Sequence, residues 1–144
     1  MSSRTLNQTA LHPFQDFFQT SVTTQYFADY LLFPLPIEEE IENAPDLVTF
    51  VLKDCRIVSI RKQYVVKYGD GVNLQEGRNV IFLRQNTEIL LPRVYALYVG
   101  PSTGKKYTAT ERMEGTSLSL LWAQLSDTQK DVTVSKLQSY LMKL

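Results

Sequence analysis

The sequence predicts an α+β domain in which one helix covers an antiparallel β-sheet. Residues 47–68 are rich in β-branched and aromatic side chains, which is typical of strands. A helical segment follows, and two further strand-like segments, residues 94–99 and 105–111, flank a turn rich in glycine. Because the connections between these segments are short, we expect antiparallel pairing. We divide the chain into residues 1–45, 46–115 and 116–144.

Residues 1–45 form the first expected unit, a helical extension followed by an acidic connector. Apolar residues recur there at spacings of three and four, as on one face of a helix: Phe14, Phe17, Phe18, Val22, Tyr26, Phe27 and Tyr30. Pro34 and Pro36 end this pattern, and the four glutamates between Ile37 and Asn43 indicate a solvated connector. The aromatic face either packs on the main body or docks a partner.

Residues 46–115 form the expected sheet with its helix. Polar breaks at residues 53–54 and 61–62 predict turns between strands, and Gly69-Asp70-Gly71 ends the last strand of this run. Asn73 is the expected N-cap of the following helix, with Glu76 placed to complete a capping box. Asn86-Thr87 stops that helix.

Residues 116–144 predict helices up to the last residue. We expect Thr116 to cap a helix over residues 117–125, and Ser126 and Gln129 to form a second capping box. The next helix places four apolar residues on one face: Val134, Leu137, Leu141 and Leu144. Since the pattern is still periodic at Leu144, we expect a chain that is cut short.

Composition and charge exclude several classes of protein. The 144 residues are 44% hydrophobic and 21% charged, which allows a buried core. Fifteen basic residues balance fifteen acidic ones, so no overall field favours nucleic acid, and no apolar run approaches the roughly 20 residues that span a bilayer. The lone Cys55 and lone His12 exclude a disulfide framework and a Cys- or His-rich metal site. We expect a cytoplasmic protein without nucleic-acid or membrane partners.

Lys67 and Glu76 are the residues that carry the chemical hypothesis. Lys67 closes a strand, and Glu76 opens the next helix. A lysine on a central strand, fixed by a glutamate of the overlying helix, is the arrangement that kinases use to hold nucleotide phosphates. Taken by itself, Lys67 would be interpreted as a solvated surface lysine, and Glu76 as a residue that caps its helix and interacts with the helix dipole. Their order and spacing predict an ion pair.

The amino-acid sequences of these segments resemble those of the aminoglycoside phosphotransferase-like family, which has a kinase-like fold, and especially those of its fungal members. Tyr64-Val-Val-Lys-Tyr-Gly69 is similar to that family's third strand, and Pro92-Arg-Val-Tyr95 to its Pro-x-Val-Tyr strand. The segment from Gly104 through Glu111-Arg-Met-Glu-Gly115 to Trp122 resembles its last sheet strand, hinge and first following helix. The resemblance runs from about Ile57 to Leu144, over half of the chain.

The resemblance implies a protein-kinase-like amino-terminal lobe that binds ATP. Lys67 would contact the phosphates and pair with Glu76, and Val65 would pack on the adenine. The adenine edge would meet main-chain groups of Glu111 and Met113, with Thr110 at the gatekeeper position. Residues 116–144 would then be the first helices of a truncated carboxy-terminal lobe.

The sequence also departs from the family. No glycine lies between Leu47 and Tyr68, so the phosphate-covering loop of protein kinases is not visible. The catalytic aspartate of the family lies in a His-Gly-Asp-like loop, and a later aspartate binds magnesium. His12 stands far upstream, while Asp127 and Asp131 lie at a helix start, where capping explains them. We therefore assign no catalytic or metal-binding residue.

Two functions follow from these observations. The first is a truncated aminoglycoside phosphotransferase-like protein, from a family of ATP-dependent kinases that phosphorylate a small-molecule hydroxyl and use magnesium in the complete enzyme. For this chain alone we expect weak nucleotide binding at most and no phosphoryl transfer. The alternative is a non-catalytic interaction module that uses its terminal helices as contact surfaces and self-associates through the C-terminal one.

Overall fold

The computed structural model describes residues 25–48 and 53–144. The described residues form five strands: β1 (Tyr26–Phe27), β2 (Arg56–Ile60), β3 (Tyr64–Gly69), β4 (Val94–Val99) and β5 (Lys106–Glu111). They also form four α-helices: α1 (Glu38–Asn43), α2 (Leu74–Asn86), α3 (Leu118–Leu121) and α4 (Asp127–Leu141). The predicted α+β class is confirmed. Within residues 25–48 and 53–144 no helix has the length and apolar character needed to cross a membrane.

One antiparallel sheet contains all five strands, in the order β1-β4-β5-β3-β2. The hairpins β2–β3 and β4–β5 lie side by side because β5 pairs with β3. The predicted connections hold: residues 61–63 turn between β2 and β3, and residues 100–104 lie between β4 and β5. The expected strand character of residues 49–52 lies outside the described residues.

The expected helix in the first 45 residues is wrong where it can be compared with the structure. Tyr26 and Phe27 form the edge strand β1, paired with Leu97 and Ala96 of β4, and Tyr30 is not helical. Aromatic side chains suit a strand that has a partner, so the tertiary pairing with β4 overrides the helical spacing. The other aromatic positions of that pattern, Phe14, Phe17, Phe18 and Val22, lie outside the described residues.

The acidic connector is also wrong, because its residues form α1 on one face of the sheet. Ile41 is 0% exposed and packs into the main hydrophobic core. That core contains Val58, Ile60, Tyr64, Val66, Tyr68, Ala96, Tyr107 and Ala109. We call this side of the sheet the covered face. The glutamates are therefore the outer surface of a docked helix.

Those glutamates also attach α1 to the β2–β3 turn and to the connection between β4 and β5. Glu40 pairs with Arg61 at 2.8 Å and Glu42 with Lys105 at 3.1 Å. The Glu38 carboxylate accepts hydrogen bonds from the backbone N–H groups of residues 102 and 103 in the β4–β5 turn. The run of acidic residues therefore positions α1, although it resembles a solvated linker in sequence.

A ladder of aromatic rings crosses the covered face from strand to strand. Phe27 stacks on Tyr98, Tyr98 on Tyr107, and Tyr107 on Tyr68, with ring centroids 5.8, 5.0 and 5.4 Å apart. The Arg56 guanidinium lies over the Tyr68 ring at 5.7 Å, so every strand contributes one member. Burial raises the pKa of Tyr98 to about 12. Cross-strand pairs of this kind specify register as well as stability.

Helix α2 packs on the opposite side of the sheet, over β4 and β5. Gly77 makes this close approach possible, because a Cβ at that position would lie 2.3 Å from Leu97 Cδ2. The Asn73 side chain caps the helix by accepting from the Gln75 N–H, as predicted. The capping box does not form, since the Glu76 carboxylate is directed to Lys67.

The C-terminal helices bury no residue. α3 is shorter than expected: Ser117, not Thr116, is its N-cap, and residues 122–124 form a 3₁₀ turn. The second capping box, between Ser126 and Gln129, is confirmed. The predicted apolar stripe of α4 is solvent-exposed, at 42% for Val134, 49% for Leu137 and 68% for Leu141.

Candidate functional site

The candidate site lies on the side of the sheet opposite the covered face. Side chains alternate along β3, so Tyr64, Val66 and Tyr68 enter the core while Val65 and Lys67 point to the other side. α2 packs over part of that side, against β4 and β5, and the side chains that β2, β3 and β5 place on the rest of it are partly exposed. We call this part the open face.

Lys67 and Glu76 form the predicted ion pair, with Lys67 Nζ 2.8 Å from Glu76 Oε2. The side chains are 31% and 62% exposed, so solvent screens their attraction. Pairs of this exposure contribute about 0.2–1 kcal/mol to stability. The hydrogen bond to Glu76 uses one of the three donors of the ammonium group. The pair therefore orients a reachable cation on the open face and contributes little to stability.

Val65 and Thr110 lie next to Lys67 on the open face. They face each other across β3 and β5, and the Thr110 hydroxyl donates to the Val65 carbonyl oxygen at 3.3 Å. Since residues of the same strand face recur at every second position, Val65 is the nearest β3 neighbour of Lys67 on that side. The structure thus places four of the six predicted site residues around one surface: Val65, Lys67, Glu76 and Thr110.

Glu111 and Met113 mark the end of β5, where the chain leaves the sheet. The Glu111 N–H donates to the Arg93 carbonyl at 2.8 Å, and its carboxylate accepts from the Arg93 N–H at 3.0 Å. Met113 is 43% exposed, and within residues 25–48 and 53–144 its N–H has no hydrogen-bond partner. The side chain of Glu111 therefore fixes the end of the sheet, and the Met113 N–H remains available to a ligand.

Arg112, which the sequence did not single out, is also at this site. Its N–H donates to the Gln63 carbonyl at 3.1 Å, and its Nη1 donates to the Ser59 hydroxyl. Ser59 lies opposite Val65 in the β2–β3 pairing, so the guanidinium lies on the open face. No local motif marks this contact, because it joins residues 53 positions apart.

Two polar side-chain atoms near the open face are buried without a hydrogen-bond partner among the described residues. They are Gln63 Oε1, just before β3, and Thr108 Oγ1, opposite Lys67. Such unsatisfied atoms cost free energy in a folded protein, so each of them requires an explanation. Thr108 is paired with Lys67 across β3 and β5, and the Gln63 carbonyl accepts from the Arg112 N–H, so both residues neighbour the candidate site.

Two clefts of the described chain lie elsewhere. The larger, about 530 Å³, is at the end of β2 and β3 and is lined by Asp54, Cys55, Gly69 and their neighbours. The smaller, about 390 Å³, lies between α1 and Tyr98. Neither of these two clefts is lined by Lys67 or Glu76.

The described residues contain no group of three or more histidine, cysteine, aspartate or glutamate side chains arranged to hold a metal ion. Comparison of the chain with known protein families, curated proteins and solved structures gives no match.

Proposed function

We propose that this chain binds a nucleoside triphosphate on its open face, as the amino-terminal lobe of a kinase-like phosphotransferase of the aminoglycoside phosphotransferase-like type. The observation that carries the proposal is the 2.8 Å contact between Lys67 of β3 and Glu76 of α2. In kinases a strand lysine holds the nucleotide phosphates while a helix glutamate fixes its direction. The same two residue types are paired here, one on a strand and one on the helix that follows it.

The arrangement of the surrounding elements supports the proposal. The helix that supplies Glu76 connects β3 to β4, and β3 lies between β2 and β5 in the sheet. Val65 and Thr110 provide a partly apolar surface beside Lys67 for the base, and the Met113 N–H is available for its edge. An open surface is what one lobe contributes when the nucleotide lies between two lobes.

The residues of this chain fit nucleotide binding better than phosphoryl transfer. Transfer in this class of enzyme depends on a base that orients the acceptor and on metal ions that neutralise the phosphates. The only histidine, His12, is followed by proline, so the sequence holds no His-Gly-Asp loop. The function proposed for these 144 residues is therefore nucleotide binding, with transfer to a small-molecule hydroxyl as the reaction of the complete family member.

The test is the affinity for ATP, measured by calorimetry on the full chain, its Lys67→Ala variant and a Lys136→Ala control. Lys136 is exposed on α4, so the control loses the same charge away from the open face. Losing a charged hydrogen bond of about 1.5–3 kcal/mol corresponds to a decrease of roughly ten- to 150-fold in affinity. We expect that decrease for Lys67→Ala alone. Equal affinities of all three proteins would contradict the proposal.

A second function, a protein-interaction module, is favoured by the exposed stripe of α4. Leu137, Leu141 and Leu144 are 49%, 68% and 69% exposed, and burying each side chain would contribute about 1.5–3 kcal/mol. Exposed apolar stripes of this kind often mark contact surfaces. Self-association through α4 is the simplest form of this second proposal.

We expect residues 126–144 to be poorly protected from amide hydrogen exchange in a dilute monomer, because an isolated helix of this length is marginal in water. Protection that increases with protein concentration would indicate self-association. The measurement is exchange across a dilution series, with the amides of β3 and β5 as the internal control for global unfolding. Strong protection of α4 in a dilute monomer would contradict this expectation.

A further inference from the structure

We propose that Arg112 contacts the purine base of the bound nucleotide. This inference rests on the proposed nucleotide-binding function and deepens it. Lys67 would then hold the phosphates at one end of the open face, and Arg112 would hold the base at the other.

The position of the guanidinium follows from its contact with Ser59. Ser59 faces Val65 across β2 and β3, and Val65 is two residues from Lys67 along β3. That spacing corresponds to roughly 7 Å along the strand. The Arg112 guanidinium is therefore beside the surface on which the base would lie when the phosphates reach Lys67. The backbone of residues 111–113 borders the same surface.

The charge of Arg112 is not neutralised by the part of the chain that the structure describes. Lys67 is paired with Glu76, whereas Arg112 takes part in no ion pair within residues 25–48 and 53–144. Its side-chain hydrogen bond is to the neutral hydroxyl of Ser59. The guanidinium thus has no carboxylate partner among the described residues and keeps free donors, while its contact with Ser59 fixes its direction.

The chemistry of the two cations suits different parts of a nucleotide. A lysine ammonium is a compact charge for phosphate oxygens, whereas a guanidinium is planar and stacks on aromatic rings. A purine also presents acceptor atoms that the remaining guanidinium donors can contact. A structural latch between β5 and β2 is the competing explanation, and it predicts changes in stability without changes in ligand preference.

The experiment measures the affinities of ATP, adenosine and inorganic tripolyphosphate for the full chain and three variants by NMR titration. The variants are Arg112→Ala, Arg112→Lys and a control, Arg93→Ala, whose guanidinium lies over Tyr95 against the covered-face core. We expect Arg112→Ala to lower the affinities for ATP and adenosine by the same factor, about three- to thirtyfold, and to leave the affinity for tripolyphosphate unchanged. Arg112→Lys keeps the charge without the planar group, so we expect it to weaken adenosine as well.

Lys67→Ala separates this inference from the proposed function. We expect this substitution to lower the affinities for ATP and tripolyphosphate and to leave the affinity for adenosine unchanged. If Lys67→Ala weakens ATP while both Arg112 variants bind as the parent chain does, the role of Arg112 is wrong and the proposed function stands. Weaker tripolyphosphate binding by Arg112→Ala would make Arg112 a phosphate ligand and overturn the inference. If the parent chain binds none of the three ligands, both proposals fail.

Discussion

Exchanging the two charges of the Lys67–Glu76 pair is expected to keep an ion pair at this position and to abolish ATP binding. In the double variant Lys67→Glu/Glu76→Lys, the carboxylate is on β3 and the ammonium group is on α2. The two groups still face each other at the position of the present 2.8 Å contact. A carboxylate then stands on the strand where the phosphates would bind. Losing the lysine contact alone accounts for roughly a ten- to 150-fold decrease in affinity, and repulsion between glutamate and phosphate decreases it further.

The two single variants serve as controls for the double variant. Each places two like charges side by side, but because the residues are 31% and 62% exposed we expect the free energy of unfolding to change by only about 1 kcal/mol or less. Chemical denaturation should show the double variant close to the parent chain. If the double variant binds ATP as tightly as the parent, Lys67 does not hold the phosphates.

Shortening Ile41 is expected to have the largest effect on stability of any change in α1. Ile41 is 0% exposed and is the only buried residue of that helix. Replacing a buried isoleucine by alanine costs about 2–5 kcal/mol, because apolar contacts are lost and a cavity remains. For a small domain this is a large part of the total stability, so we expect Ile41→Ala to lower the denaturation midpoint strongly.

Glu39→Ala is the matched control for this measurement, since Glu39 lies on the same helix and its side chain is exposed. We expect that substitution to change the free energy of unfolding by less than about 0.5 kcal/mol. A solvated connector would give small and similar effects at both positions. Similar denaturation curves for the two variants would therefore show that α1 is not docked in solution.

Local patterns predicted the central part of the fold well. The strands β2 to β5, the N-cap Asn73, the end of α2 and the capping box at Ser126 follow from propensity, turn residues and capping chemistry that act within a few positions. The ion pair was also predictable, because a lysine on a strand and a glutamate at the start of the next helix lie on adjoining elements.

The errors arose where distant contacts decide the structure. Tyr26 and Phe27 have helical spacing with earlier aromatic residues, yet they pair with β4, about 70 positions later in the chain. Hydrogen bonds of an edge strand with a partner outweigh a weak periodic pattern. The acidic run of α1 reads as solvated because its single apolar residue, Ile41, gives no periodicity.

The candidate site shows the same division. Lys67 and Glu76 could be predicted as a pair because they lie on a strand and at the start of the helix that follows it, whereas Val65 and Thr110 were expected at the site only from the family resemblance. Arg112 could not be predicted, since its contact with Ser59 exists only after β5 pairs with β3 and β3 with β2. Local chemistry therefore specified strands β2 to β5, helix α2 and the ion pair of this protein. Burial and long-range pairing decided which face of the sheet α1 covers and which residues meet on the open one.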